Sequence, residues 1–435
     1  MRPGIALFLL LATASTSSGL APGPNRDAAV RAAKWIRASA VGSGGGRAWP
    51  SDPNDPKSVA PNLYGGVAGI VVFFLQAFHS TGDRSFLQDA RAGADYLLNE
   101  LDREEEPGLY SGLAGMGFAL LETHKATKVS KYREGAARCA QRLAEKATKT
   151  AQGVHWNDTN DIIGGSAGVG LFLLYAEREL GQPRYLELAV LAGKELLARG
   201  QAQAVGMKWA MNPQFPRLMP NFSHGTAGIA YFLASLFSRT RARPFLEGAI
   251  AGAEYLKSVA RTEGDVCLIF HNEPDGKELY YMSWCHGPAG TARLFYRLFQ
   301  VTGKKEWMEW VNRSARAIIE SGVPEKQTPG FWNNVSQCCG SAGVAEFFLD
   351  LYHVTRDRAY LERARRVTAH LLGKGTPEGD GVKWIQAEHR VKPDLLVAQT
   401  GFMQGAAGVG MLLLHLDDAE RGKRVRVIFP DSPFQ

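Results

Sequence analysis

No stretch of the chain approaches the roughly 20 consecutive apolar residues that a membrane-spanning helix needs. Lysine and arginine never gather into a run of five or more, although the net charge is +7 over 435 residues. That distribution argues against nucleic-acid binding and reads as general surface charge. Cysteine is scarce and odd in number, with 5 residues, two of them adjacent. Such a set is poor material for a disulfide framework. With 45% hydrophobic and 21% charged residues, the composition is that of a folded chain and excludes disorder as the main state. The 48 glycines follow no three-residue period, which excludes a collagen-like fibre. Their placement is the informative part.

A Gly-x-Ala-Gly tetrapeptide recurs at 66–69, 112–115, 165–168, 225–228, 287–290, 340–343 and 405–408. Each copy opens an apolar helical run, such as IVVFFLQAF after the first and VGMLLLHL after the last. Between copies lie amphipathic segments with helical spacing of their apolar residues, at 86–101, 132–147, 185–198, 245–259, 307–319 and 360–372. An earlier one, 28–41, precedes the first copy. A two-helix unit cannot bury its apolar member alone, so the units must stack. Closing the stack puts seven apolar helices inside and seven amphipathic helices outside. The expected fold is all-α, an (α/α)7 toroid, with an open superhelix as the alternative. Small residues at the inner-helix starts allow close backbone approach. Seven positive helix ends should then face one mouth. Tryptophans precede most copies, and the inserts 262–283 and 383–404 are expected to cover that mouth.

The N-terminus carries a different signal. Arg2, the apolar run Ile5–Ala14 and small residues reaching Ala21 make the pattern of a secretory signal peptide. The expectation is a leader at 1–21, export to a periplasmic or secreted location, and one toroid domain at 22–435.

Repeats should agree where structure is needed and differ where chemistry is done. Just before the tetrapeptide, copy three reads Asp161-Ile-Ile-Gly, copy four Asn221-Phe-Ser-His224, copy five Ser283-Trp-Cys285-His286 and copy six Ser336-Gln-Cys338-Cys339. Cys285, Cys338 and Cys339 thus share one rim on adjacent repeats. Three thiolates with an open fourth position is the pattern of a catalytic zinc site, with His286 as an alternative ligand. Small buried hydrophobes, a vicinal disulfide of Cys338 with Cys339, and a closed structural zinc that includes His286 are the competing readings. His224 and Asp161 occupy the same rim; helix-start histidines and N-capping aspartates are ordinary features elsewhere. Cys139 and Cys267 receive no role.

These residues together resemble the lanthionine synthetase C-like family of α/α toroids with a central zinc. The resemblance rests on the seven glycine motifs, Ser-Trp-Cys-His-Gly at 283–287, Cys-Cys-Gly at 338–340, His-Gly at 224–225, Asp161-Ile-Ile-x-Gly and the ending Phe429-Pro-Asp-Ser-Pro433. It implies that Cys285, Cys338 and Cys339 bind Zn2+, with His224 and Asp161 at the proton-transfer positions. It also implies addition of a thiol, from a peptide cysteine or a small molecule, to dehydroalanine or dehydrobutyrine. A separate dehydratase is then an expected partner. Two departures stand out: Cys338-Cys339 replaces the commoner Cys-His, and the leader points to export. A noncatalytic zinc-dependent thiol- or peptide-binding protein and a sugar-processing α/α toroid enzyme are the alternatives. The second needs paired carboxylates, and the rim shows only Asp161.

Overall fold

The computed structural model describes residues 23–434 except 44, 213 and 215–217; the expected leader, 1–21, lies outside them. Among the described residues, fourteen α-helices alternate in chain order. They begin with α1 (Pro24–Ala38), α2 (Val67–Thr81), α3 (Arg84–Glu100), α4 (Leu113–Thr127) and α5 (Ser130–Lys146). Next come α6 (Ser166–Leu180), α7 (Pro183–Arg199), α8 (Thr226–Thr240), α9 (Arg243–Val259) and α10 (Pro288–Thr302). The last are α11 (Lys305–Ser321), α12 (Ser341–Thr355), α13 (Arg358–Gly373) and α14 (Ala406–Glu420).

The even-numbered helices form a closed inner ring, in which α2 packs on α4 and so on round to α12 on α14 and α14 on α2. Each odd-numbered helix from α3 packs outside the helix before it, and α1 covers α14. The toroid expected from the glycine repeat is therefore the observed fold, and the open superhelix is excluded. Inner helices are apolar around most of their circumference because they are covered on most sides; in α2 every residue from Val67 to Gln76 is buried. Outer helices keep a polar face. Ring closure between the chain's two ends is fixed by Arg26, which donates from Nε to Asp417 Oδ2 at 2.8 Å.

The tetrapeptide's last glycine has a geometric cause. A Cβ on Gly290 would stand 1.8 Å from the carbonyl oxygen of Trp284, in the loop that folds back onto its own helix, and 2.9 Å from Phe222 Cβ of the neighbouring repeat. Only glycine fits there.

Outer-to-inner connections are long and lie at one end of the ring, where the inner helices start. Among the described residues they carry all five two-stranded antiparallel hairpins. Trp156, Trp209 and Trp384 tie three of these connections down, donating from Nε1 to the carbonyls of Leu143, Leu196 and Leu371 in the preceding outer helices. The C-terminal segment packs against these loops: Phe429 stacks on Phe402 with centroids 4.7 Å apart, and buried Asp431 accepts from Tyr110 Oη at 3.2 Å. No helix among the described residues is long and apolar enough to cross a membrane.

Candidate metal centre

The loops before the inner helices are joined by a closed belt of backbone hydrogen bonds. Tyr64 N–H donates to Tyr110 O, Tyr110 N–H to Ile163 O, and Ile162 N–H to Ser223 O. Ser223 N–H then donates to Cys285 O, Cys285 N–H to Cys338 O, Cys338 N–H to Met403 O, and Met403 N–H back to Tyr64 O. Every repeat contributes the residue two places before its tetrapeptide, with copy three using two neighbours. Cys285 and Cys338 are consecutive links, so their side chains emerge side by side although 53 positions separate them. Cys339 follows, its N–H held by Ser336 Oγ at 3.2 Å.

The three sulfurs converge. Cys285 Sγ lies 3.3 Å from Cys339 Sγ, and Cys339 Sγ 3.4 Å from Cys338 Sγ. All three lie within 4.8 Å of one another, the one such metal-capable group among the described residues. A tetrahedral zinc with Zn–S bonds of about 2.3 Å would set its sulfurs about 3.8 Å apart. The donor set therefore fits zinc in chemistry and spacing. The five cysteines are free thiols, which removes the vicinal disulfide. His286 falls outside the convergent group. It is buried between His271 and His224, with ring centroids 4.3 and 5.5 Å away, and burial holds its pKa well below the ordinary imidazole value. Cys139 and Cys267 are buried elsewhere, and burial pushes both thiols up to about 12.

Cys338 is the sulfur best prepared to be anionic. Hydrogen bonds from Cys285, Cys339 and Tyr64 hold its pKa well below the ordinary thiol range. The Tyr64 hydroxyl reaches it at 3.2 Å and is itself held by Gln404 Nε2 at 3.0 Å. Neither Tyr64 nor Gln404 was singled out from the sequence. Both stand at rim positions in the same repeat alignment that exposed the cysteines, but residue type there did not set them apart.

His224 and Asp161 meet across the rim, Nδ1 to Oδ2 at 2.6 Å. Asp161 is 2% exposed and uses its other oxygen to accept from Gly164 N–H and Gly165 N–H at 2.9 and 3.0 Å. It is thus both the local loop cap and the partner of His224. Burial alone would lower the His224 pKa, but the hydrogen bond and charge of Asp161 outweigh it and the value is raised. The engaged Nδ1 leaves Nε2 for a cavity of about 270 Å3 shared with the three cysteines. The insert expected over the mouth supplies Glu388, His389, Arg390 and Val391 to its wall.

Fold and site define an α/α toroid with a three-thiol, metal-capable centre and a His–Asp dyad at one mouth. The chain belongs to the lanthionine synthetase C-like family, whose model matches residues 57–429. It is 23% identical over 316 residues to the glutathione S-transferase LANCL1 of Danio rerio, covering 69% of this chain and 72% of that protein. Nisin cyclase has a similar structure, with TM-score 0.65 and 13% identity, over 91% of this chain and 94% of its own. An inactive variant of the alpha-1,6-mannanase GH76A of Salegentibacter sp. HEL1_6, in complex with alpha-1,6-mannotriose, reaches TM-score 0.51 and 14% identity over 90% and 98% of the two chains. These structural likenesses concern the fold.

Proposed function

We propose that the chain is a zinc-dependent enzyme that adds a thiol to dehydroalanine or dehydrobutyrine, forming a thioether of the lanthionine type. The observation that carries this reading is the convergence of Cys285, Cys338 and Cys339 in a cavity that also holds the His224–Asp161 dyad. Cys285, Cys338 and Cys339 would hold zinc, which would supply a Lewis acid that favours the thiolate form of an incoming thiol, its proton passing to solvent, from which His224 is recharged after each turnover. The protein's own groups do the rest. Tyr64 and Gln404 orient Cys338. Asp161 fixes the ring of His224 and favours its protonated form. Attack of the thiolate on the alkene carbon forms the C–S bond and leaves an enolate; the His224 imidazolium protonates its α-carbon from Nε2. Asp161, with both oxygens already engaged, acts as a positioning residue.

Three thiolates carry one more negative charge than the Cys-His pattern, which favours a reactive substrate thiolate over Lewis acidity. The sugar-processing alternative finds little support: Glu388 is the carboxylate on the cavity wall, and Asp161 is committed to His224. The sequence's adjacent pair of aspartates, Asp417 and Asp418, is engaged by Arg26 and by Gln76 and Ser80 in the helical body. The same proposal takes residues 1–21 as a secretion leader, testable by the N-terminal sequence of the exported chain. The deciding experiment is His224→Ala with a dehydroalanine peptide and a thiol, followed by mass spectrometry. Loss of product with zinc retained supports the mechanism; unchanged product formation overturns the role of His224 as the acid, and no product from the parent leaves a noncatalytic zinc-dependent thiol- or peptide-binding protein instead.

A further inference from the structure

Exposed large apolar side chains are few among the described residues: Leu191, Val205, Ile385, Val391, Leu395, Leu396 and Ile428. Four of these lie in the short stretch 385–396. Isolated exposed leucines are normal, whereas a concentration in one place marks an interaction surface. Exposure is 68% at Val391, 53% at Leu395 and 51% at Leu396. This stretch is the insert that roofs the metal cavity, and Val391 belongs to the cavity wall as well as to the exposed edge. The apolar edge is thus continuous with the candidate site.

The stem of the insert is pinned to the loop that carries the metal-capable cysteines. Ala387 N–H donates to Asn333 O at 2.9 Å, Trp332 Nε1 to Ala387 O at 2.8 Å, and Val335 N–H to Gln386 Oε1 at 2.8 Å. Its tip turns on itself, with Lys392 N–H on His389 O and Leu395 N–H on Lys392 O. The edge is therefore anchored, through its stem, to the same loop as Cys338 and Cys339. A small hydrophilic thiol fits within the cavity and gains nothing from an apolar edge. An extended peptide advances about 3.3 Å per residue, so its neighbouring side chains pass over the rim within a few positions of the reacting atom.

We propose that the edge formed by Val391, Leu395 and Leu396 docks a peptide substrate through apolar side chains that flank its reacting residue. This rests on the thiol-addition reading and deepens it: the substrate is an apolar-flanked peptide rather than a free small thiol. The test is fluorescence anisotropy with the zinc-loaded full chain and labelled peptides of equal length. One carries a cysteine between leucine and phenylalanine, one a cysteine between serine and glutamine, and one the apolar flanks with serine for cysteine. The apolar cysteine peptide should bind at least about tenfold tighter than the polar one, and a Leu395→Ser/Leu396→Ser variant should cut that preference below about threefold. The serine peptide should retain the preference for the parent over the variant, since the edge acts without the thiol. Equal affinities in the parent, or a preference that survives the double variant, overturn the proposal. Failure of the thiol-addition reading is seen separately, as no thioether formed between the apolar-flanked cysteine peptide and a dehydroalanine peptide while the binding preference remains measurable. A dimer by light scattering, or vesicle binding by flotation, that is lost in the double variant would assign the edge to a second copy or to lipid and overturn the proposal.

Discussion

Asp161→Asn separates the electrostatic half of the dyad from its structural half. Oδ1 of Asp161 accepts from Gly164 N–H and Gly165 N–H, and an asparagine oxygen can keep both bonds. The oxygen that faces His224 Nδ1 at 2.6 Å becomes an NH2 donor. A ring donating from Nδ1 then meets another donor, so it must place its proton on Nε2 as a neutral imidazole. Burial already pulls the His224 pKa down, and without the Asp161 charge nothing outweighs it, so the value falls. A cationic acid is thereby replaced by a weak neutral one. General acid–base groups contribute about 10²–10⁴-fold, and His224→Ala should cost that much. Outer partners that orient a functional group are worth about 10–100-fold, the loss expected for Asp161→Asn. Because the two act as one unit, the double variant should lose no more than His224→Ala.

The assay for this variant is the pH dependence of thioether formation, followed by mass spectrometry with zinc content matched. The high-pH limb, where the acid deprotonates, should move to lower pH in Asp161→Asn. Stability provides a second reading with a definite sign. The folded-state pKa of His224 is raised, so the pair's contribution is complete below the unfolded value of about 6.5 and fades as pH rises through the folded one. A hydrogen bond to a charged group contributes about 1.5–3 kcal/mol. The lower end applies here, since the His224 side chain is 30% exposed. The stability gap between parent and variant should therefore be full below about pH 6.5 and shrink as pH rises above it. A parental pH profile in Asp161→Asn, or losses that add in the double variant, would refute the dyad.

Tyr64→Phe removes the hydroxyl on Cys338 and should weaken zinc retention about 10–100-fold in competition with a chromogenic chelator, with the fold intact by circular dichroism. Cys339→His restores a neutral zinc site and should slow thiol addition by about tenfold; a faster variant would contradict the role given to the third thiolate. Gly290→Ala drives a Cβ to 1.8 Å from Trp284 O, beside Cys285, and should cost about 3 kcal/mol or more, read as a lower denaturant midpoint with reduced zinc content.

The toroid was legible because its geometric demand repeats. Each inner helix needs the same bare backbone where its loop folds back, so glycine returns seven times, and Gly290 against Trp284 shows the cause. The cysteines were legible as departures from that repeat. Tyr64 was not, since tyrosine stands at the same place in copies one and two. Tyr110, its counterpart, turns away to donate to Asp431, so residue type alone could not say which tyrosine meets the sulfurs. His286 looked like a ligand because it adjoins Cys285 in sequence; it lines the same cavity, but its ring packs against His271 and His224, outside the sulfur group. The residues of 388–391 sit in an aperiodic insert, and only closure of the ring brings them beside Cys285.

Cys285, Cys338 and Cys339 are proposed to form one zinc site serving thiol addition. The most direct test is metal analysis of protein purified under reducing conditions, paired with reaction of the same sample with a thiol and a dehydroalanine peptide. About one zinc per chain is expected, with both zinc and thioether product lost together in Cys285→Ala. Zinc below about 0.2 per chain in never-oxidised protein, or product formation undiminished in Cys285→Ala, would contradict it.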